Sequence, residues 1–289
     1  MSTPIVDEKR VRQWLPEAVT KLRAAGVDVP ELDAELLAAF VLGCERAALV
    51  ANDFMVAPAA LGRLNLLLEQ RVRRVPLAYL VGEREFYSLV FKVTPEVLIP
   101  RPETELLVEV ALETIDRRAP HPARILDLGT GCGAIALSLA HHKPQLEVVA
   151  TDISPSALAL ATINAKRLEC DNVELRLGDW WQALGEERFD LILSNPPYIP
   201  QKVLDELAPE VARFEPRLAL AGGIDGLACY RVLAAGAKAH LAAGGEMMVE
   251  VGEGQADAVA ALLRAGGART TARWRDLAGH QRVVAGRWE

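Results

Sequence analysis

The sequence lacks several features that mark common classes of protein. None of its four cysteines forms a C-x-x-C pair and its five histidines show no metal spacing, so we expect neither a metal site nor a disulfide framework. No apolar run reaches the roughly 18 residues of a membrane span. The first ten residues, MSTPIVDEKR, also lack the charge and apolar order of a signal peptide. These absences predict a cytoplasmic protein with reduced thiols and no membrane partner.

Basic residues are not in excess either. The chain has 32 Lys and Arg against 39 Asp and Glu, a formal net charge of -7. A protein that binds a phosphate backbone through many contacts usually has the opposite balance, so we expect no stable binding to nucleic acid. What the chain does have is length and apolar content, since 51% of its 289 residues are hydrophobic. That is enough for two domains with a sizeable core.

Apolar residues recur at helical spacing over residues 8–84. This predicts a small helical domain over residues 1–84. Residues 85–99, EFYSLVFKVTPEVLI, change to aromatic and β-branched residues with partial alternation, which is typical of a hairpin or an extended linker. We therefore assign residues 85–105 to a hairpin linker and residues 106–289 to a second domain.

One basic cluster, Arg71, Arg73 and Arg74, lies near the end of the helical segment. The interpretation we favour is a solvated helix end, where cations are stabilised by the helix dipole. A contact patch for a partner is the alternative.

From Arg124 the sequence repeats a rhythm of apolar strand, loop and helix. Strands that alternate with helices predict a parallel, doubly wound sheet. Near the end of the chain, ARTTARW and QRVVAGRW could add an antiparallel pair. In such sheets ligands bind beyond the carboxyl ends of the strands, where the strand order reverses.

The first of these strands ends in Asp127-Leu128-Gly129-Thr130-Gly131-Cys132-Gly133. Glycines let the backbone turn tightly and approach a ligand, but a loop of this kind can also be a turn without a ligand. A nicotinamide dinucleotide is a second alternative, because Gly129, Gly131 and Ala134 satisfy a looser form of its motif. Asp127 is a poor neighbour for a pyrophosphate, yet it suits an ammonium group or the orientation of the loop amides.

Acidic residues also end the next two strands. Asp152 follows the second strand at the distance where a carboxylate meets ribose hydroxyls, and capping the next helix is its alternative role. Asp179 and Trp180 follow the third strand and combine an acceptor for an amino group with a flat ring. They fit an adenine pocket, while a turn with Trp180 in the core is the alternative.

Together, the D-x-G-x-G-x-G loop, the acid after strand two and G-D-W after strand three resemble the S-adenosylmethionine-dependent methyltransferases. The resemblance implies a Rossmann-like class I α/β domain, here preceded by the helical domain and the hairpin. It also implies a role for each part of the site. The residues Gly129, Thr130, Gly131, Cys132 and Gly133 would contact the methionine part of S-adenosylmethionine. Asp152 would bind the ribose, and Asp179 with Trp180 would border the adenine.

The fourth strand ends in Asn195-Pro196-Pro197-Tyr198, which places this motif beside the reactive sulfonium and makes Asn195 a cofactor neighbour as well. Proline lacks an N–H and fixes φ, so the run is stiff and presents carbonyls. The Asn195 side-chain oxygen and the Pro196 carbonyl could accept both hydrogens of an N–H₂ group and leave its lone pair facing the methyl group. Tyr198 offers a ring to a planar substrate. A carboxamide and an exocyclic base amine both fit.

Residues 74–109, RVPLAYLVGEREFYSLVFKVTPEVLIPRPETELLVE, closely resemble the protein-(glutamine-N5) methyltransferases of the HemK/PrmC type. The likeness extends over nearly the whole chain, with one small variation at Cys132. It implies methyl transfer to the glutamine of the Gly-Gly-Gln loop of peptide chain release factors, with the helical domain and the hairpin holding that protein substrate. An adenine-N6 or guanine-N2 methyltransferase acting on DNA or RNA is the alternative.

Overall fold

The computed structural model describes residues 9–118 and 124–289, and these fall into two compact units. The first unit runs to Gly82 and also contains Ala208–Phe214. The second unit consists of Glu83–Leu207 and Glu215–Glu289. Within the described residues, the helices are too short or too polar to cross a bilayer.

The first unit is built from helices. They are α1 (Val11–Ala24), α2 (Pro30–Leu42), α3 (Arg46–Ala51), α4 (Pro58–Val72) and α5 (Leu77–Val81), with a short pairing of β1 (Lys9–Arg10) and β2 (Met55–Val56). Both α2 and α4 begin with proline, whose missing N–H would have no helical partner at that position. Helix α2 ends at Gly43, which takes a left-handed φ of 64°. The predicted helical domain is confirmed, and Trp14 and Leu37 are buried in its core.

The arginine cluster has a different environment from the one we predicted. Arg71 is buried, and its guanidinium donates to Asp33 Oδ2 at 2.6 Å and to Glu210 Oε1 at 2.9 Å. Arg74 donates to both oxygens of Glu210, each at 2.6 Å. The solvated helix end is therefore wrong for these two residues, and only Arg73 is exposed.

Glu210 lies in α9 (Pro209–Phe214), a short helix that belongs to the first unit although it follows the fourth sheet strand in the sequence. Our boundaries assign residues 208–214 to the domain 106–289. The ion pairs explain the difference, because a carboxylate between two largely buried arginines is stabilised where it sits. No periodic pattern in the sequence could indicate a partner more than 130 residues away.

We predict that Glu210→Gln weakens the helical unit. Gln keeps one acceptor oxygen but puts an N–H₂ group in place of the other, so Arg74 loses the carboxylate charge and one of its two bonds to Glu210, while Arg71 keeps Asp33. Bonds to charged groups are worth about 1.5–3 kcal/mol each. Amide hydrogen exchange in α2 and α4, followed by mass spectrometry, should become about tenfold faster or more. Glu206→Gln changes an exposed residue at the end of the 3₁₀ helix Gln201–Glu206 and should leave the exchange rates as they are. Equal rates in the two variants would contradict the prediction.

The second unit contains a hairpin and a seven-stranded sheet. The hairpin pairs β3 (Glu83–Phe86) with β4 (Leu89–Lys92), as predicted for this region. The strands of the sheet are β5 (Arg124–Leu128), β6 (Glu147–Asp152), β7 (Val173–Leu177), β8 (Phe189–Ser194), β9 (Leu241–Glu250), β10 (Thr270–Arg275) and β11 (Gln281–Arg287). The helices of this unit are α6 (Glu105–Arg118), α7 (Ala134–His142), α8 (Pro155–Arg167), α10 (Ala228–His240) and α11 (Ala256–Ala265).

The strand order across the sheet is β7-β6-β5-β8-β9-β11-β10. The first five strands of this order are parallel, and β11 runs antiparallel to both β9 and β10. The predicted parallel sheet with a closing antiparallel pair is confirmed. Since the chain moves outward from β5 to β7 and returns on the other side at β8, the strand order reverses between β5 and β8. That is where a ligand site is expected.

Candidate active site

A cavity of about 490 Å³ lies at the carboxyl ends of the parallel strands, which is within the usual size range of small-molecule sites. Most of the predicted site residues line it: Gly129, Thr130, Gly131, Cys132, Asp152, Asp179, Trp180, Asn195 and Pro197. Three others, Gly133, Pro196 and Tyr198, lie next to this set in the sequence but do not line the cavity itself.

The glycine loop takes a backbone course that other residues would strain. Gly129, Gly131 and Gly133 have φ values of 76°, 58° and 90°, all in the left-handed region. A Cβ on Gly133 would come within 2.7 Å of Leu137 Cδ1, so this glycine also allows α7 to pack closely. A Cβ on Gly131 would meet no atom within 4 Å. Because Gly131 lines the cavity, a side chain there would take up space that a ligand can use.

Asp127 contacts the glycine loop through hydrogen bonds and does not line the cavity. Its Oδ2 accepts a hydrogen bond from the Thr130 hydroxyl at 2.6 Å and one from the Ala136 N–H at 3.3 Å. Its Oδ1 has no hydrogen-bond partner among the described residues. Burial raises the pKa of Asp127 to about 7, opposed by those two bonds. Of the two roles considered for this residue, the contacts support orientation of the loop.

Asp152 connects the second strand to the glycine loop. One carboxylate oxygen accepts from the Gly131 N–H and the other from the Ser154 N–H, both at 2.8 Å. Burial raises its pKa. The cap of α8 is Ser154, whose hydroxyl accepts from the Ala157 N–H, so the alternative that Asp152 caps this helix is wrong. Each oxygen of Asp152 keeps a further lone pair for a ligand.

Trp180 lies beside the first glycine of the loop. Its Cζ3 is 3.9 Å from the position that a Cβ on Gly129 would take, and its own φ of 47° is left-handed. The ring is partly buried against the core and also lines the cavity. Its contact with an adenine therefore stays a prediction. Asp179 precedes it and is exposed.

Asn195 begins the loop after β8, and its side chain has a fixed partner. Nδ2 donates to the Thr104 hydroxyl at 3.1 Å, which leaves Oδ1 as an acceptor. The preceding residue, Ser194, donates to the Leu128 carbonyl at 2.6 Å and so ties together the ends of the two strands that flank the reversal. The amide of Asn195 therefore has a defined orientation at the edge of the cavity.

Tyr198 is held through both its side chain and its backbone. Its hydroxyl donates to Glu250 Oε1 at 3.4 Å, and its carbonyl accepts from Gln255 Nε2 at 2.9 Å. Two glycines lie close to its backbone and leave no room for a side chain. A Cβ on Gly222 would lie 2.7 Å from the Tyr198 Cα, and one on Gly226 would lie 2.4 Å from its carbonyl oxygen. Burial raises the pKa of Tyr198, so its phenol stays neutral.

Four residues of the site were not among those we predicted. Thr104 and Arg101 line the cavity, while Glu250 and Gln255 contact Tyr198. A signal existed for Glu250, because it ends the apolar strand β9 as Asp152 ends β6. The other three have no comparable pattern.

We predict that Asp127→Asn changes the dependence of stability on pH. The folded-state pKa of about 7 lies above the unfolded value, so the native state binds this proton more tightly. Its stabilising effect is complete below a pH of about 4 and is lost as the pH rises toward 7, at about 1.4 kcal/mol per pKa unit.

Urea unfolding at pH 5 and pH 8 checks this expectation. Relative to the wild type, Asp127→Asn should gain unfolding free energy between the lower and the higher pH. Asp116→Asn, which removes an exposed carboxylate, is the control for loss of a charge. A constant difference between wild type and Asp127→Asn at both pH values would refute the prediction.

Comparison with known proteins adds to this geometry. Two family models match the sequence, the PrmC N-terminal domain over residues 13–82 and the methyltransferase small domain over residues 103–212. A solved structure, a T. Thermophilus 16S rRNA N2 methyltransferase in complex with AdoMet and guanosine, is 20% identical with a TM-score of 0.52. It covers 72% of this chain and 50% of that one, and at this identity the likeness shows the fold alone.

Closer relatives cover almost the whole chain. The release factor glutamine methyltransferase of Xylella fastidiosa is 46% identical over 275 residues, which is 94% of this chain and 98% of the relative. The enzyme of the same name from Moorella thermoacetica is 48% identical over 260 residues, or 89% and 91% of the two chains. With such relatives along nearly its whole length, the chain belongs to the release factor glutamine methyltransferase family.

Proposed function

We propose that this enzyme transfers a methyl group from S-adenosylmethionine to the side-chain amide nitrogen (N5) of the glutamine in the Gly-Gly-Gln motif of peptide chain release factors. The observation that carries the chemistry is the fixed amide of Asn195. One hydrogen of its Nδ2 goes to the Thr104 hydroxyl, which fixes how the amide is turned and leaves Oδ1 as an acceptor for a substrate. Membership of the family supports the choice of glutamine.

The residues of the cavity suit S-adenosylmethionine, which supplies an electrophilic methyl group on a sulfonium when bound. The loop from Gly129 through Thr130, Gly131, Cys132 and Gly133 gives room for the methionine part, since a Cβ at Gly131 meets no protein atom within 4 Å. The spare lone pairs of Asp152 suit the ribose hydroxyls. Asp179 offers an acceptor to the adenine amino group, and Trp180 offers a ring face.

The motif after β8 orients the substrate amide. Asn195 Oδ1 and the Pro196 carbonyl accept the two hydrogens of the glutamine N–H₂, which leaves the nitrogen lone pair free to face the methyl group. Pro196 and Pro197 keep these acceptors in place because proline fixes φ and lacks an N–H. Tyr198 packs on the flat amide, and its bond to Glu250 holds the ring. A well-oriented reactant can gain on the order of 7–11 kcal/mol.

Charge favours a protein substrate over nucleic acid. The charged residues that line the cavity are Arg101 and three carboxylates, Glu96, Asp152 and Asp179. Those carboxylates belong to the cofactor part of the site. An enzyme that captures a base must also bind its phosphates, and the formal net charge of -7 opposes that. We therefore assign no stable nucleic-acid binding to the chain.

The helical domain, residues 1–84, is assigned to recognition of the release factor, with the hairpin linker of residues 85–105 leading into the methyltransferase domain of residues 106–289. A cytoplasmic location fits a substrate that acts in translation. All four cysteines are free thiols, which agrees with a reducing compartment.

Labelled methyl transfer tests the substrate. S-adenosylmethionine with a tritiated methyl group is offered to a purified release factor, to its Gln→Ala variant in the Gly-Gly-Gln loop, to DNA and to ribosomal RNA. We expect label in the intact release factor alone. Label in nucleic acid, or equal label in the two forms of the release factor, would overturn the assignment.

Asn195→Ala tests the mechanism. The variant loses the acceptor that orients the amide, and we expect kcat to fall by about 100-fold or more, as for other oriented groups of an active site. Cofactor affinity, measured by calorimetry, should stay within a few-fold. Gln201→Ala removes an exposed side-chain amide nearby and should transfer methyl groups normally. Normal transfer by Asn195→Ala would show that this side chain does not orient the substrate.

A further inference from the structure

Glu250 is a buried carboxyl group to which the mechanism above gives no direct role. It ends β9 with 1% of its surface exposed. Ser194 pairs with Val249, and Asn195 and Glu250 are the next residues in the sequence, so the strand register places them side by side. Its Oε1 accepts from the Tyr198 hydroxyl, while Oε2 has no hydrogen-bond partner among the described residues. A buried oxygen of this kind is costly unless something donates to it.

The charges around Glu250 do not explain its burial. Burial raises its pKa to about 7, and Glu103 raises it further, while Thr104, Arg282 and Tyr198 lower it. Arg282 is the one nearby cation in this set, but its guanidinium donates to Asp276 Oδ2 at 3.2 Å. The carboxyl of Glu250 is therefore not needed to pair Arg282.

Thr104 carries a hydroxyl group whose hydrogen is available for such a donation. It is buried and lines the cavity. Its Oγ1 accepts from Asn195 Nδ2, so the hydroxyl hydrogen remains for a different acceptor. Glu250 lies next to Asn195 in the strand register, and its Oε2 still lacks a donor among the described residues. A carboxylate can only accept, so it requires the Thr104 hydrogen to face it.

We propose that Glu250 is a positioning residue that sets the direction of a hydrogen-bond chain, from Asn195 Nδ2 to Thr104 and from Thr104 to Glu250. The direction matters because the two ends of an amide differ. With its Nδ2 used by Thr104, Asn195 turns Oδ1 to the substrate. With the chain reversed, Asn195 would present an N–H₂ group to another N–H₂ group, and neither could accept. The inference rests on the proposed function in one respect, namely that the substrate group is the N–H₂ of a glutamine.

Variants of Thr104 and Glu250 test this chain. Thr104→Val removes the hydroxyl with little change of shape, Thr104→Ser keeps it, and Glu250→Gln puts a donor where the carboxylate accepts. We expect kcat on the release factor to fall at least about tenfold in Thr104→Val and Glu250→Gln, with KM and cofactor affinity within about threefold. Thr104→Ser should keep kcat within about threefold of wild type.

The double variant makes the test sharper. If Glu250 acts through Thr104, Thr104→Val with Glu250→Gln should be no more than about threefold slower than the slower single variant, since coupled residues are not additive. Losses that multiply would overturn the proposal. Thr114→Val is the matched control, because Thr114 is equally buried and its hydroxyl accepts from Arg117. It should leave kcat within about twofold of wild type.

A measurement without substrate separates this proposal from the proposed function. In protein labelled with ¹⁵N-asparagine, the side-chain resonances of Asn195 are identified by their loss in Asn195→Ala. Their hydrogen exchange should be at least about tenfold faster in Thr104→Val and Glu250→Gln than in wild type. Unchanged exchange in Glu250→Gln would overturn the positioning role. Faster exchange together with no methyl transfer by the wild type would support the positioning role and reject the substrate.

Discussion

The hydrogen bond from Asn195 to Thr104 is the constraint on which the site depends. It fixes how the amide is turned and leaves Oδ1 as an acceptor. In our proposal this acceptor recognises a substrate group that has hydrogens to donate. The rigid prolines that follow could not do this alone, because a stiff backbone does not decide which way an amide side chain is turned. Orientation of the side chain comes from Thr104, which lies 91 residues earlier in the sequence.

Three carboxyl groups near the strand ends, two of them buried and one half-buried, also hold their neighbours through hydrogen bonds. Asp127 holds Thr130 of the glycine loop, Asp152 holds Gly131, and Glu250 holds Tyr198. Burial raises the pKa of all three, which means that the charged form is destabilised where it sits. When such a carboxyl group is ionised, its charge is stabilised mainly by hydrogen-bond donors in fixed positions. The carboxyl groups thus fix the positions of the loop and tyrosine residues around the cavity.

Local chemistry explains what the sequence could predict. Glycines with left-handed φ, acids after apolar strands and the NPPY motif each stand at the end of a strand, and parallel strands end at one edge of a sheet. The missing parts depend on contacts between distant segments. Thr104 meets Asn195, Gln255 meets Tyr198, and Glu210 meets Arg74 over separations of 91, 57 and 136 residues. No spacing rule within one helix or strand encodes such pairs.

Contacts between distant segments also matter for substrate recognition, because they build the helical unit. In our proposal the motif after β8 orients a planar N–H₂ group, and such a motif fits a base amine as well as a glutamine. Selection of a protein must then come from elsewhere, and the helical unit is our candidate. That unit is not a separate stretch of sequence, because Glu210 of α9 completes the ion pairs of Arg71 and Arg74. A chain cut after Gly82 would leave Arg74 without its carboxylate, so the helices depend on sequence that follows the catalytic motif.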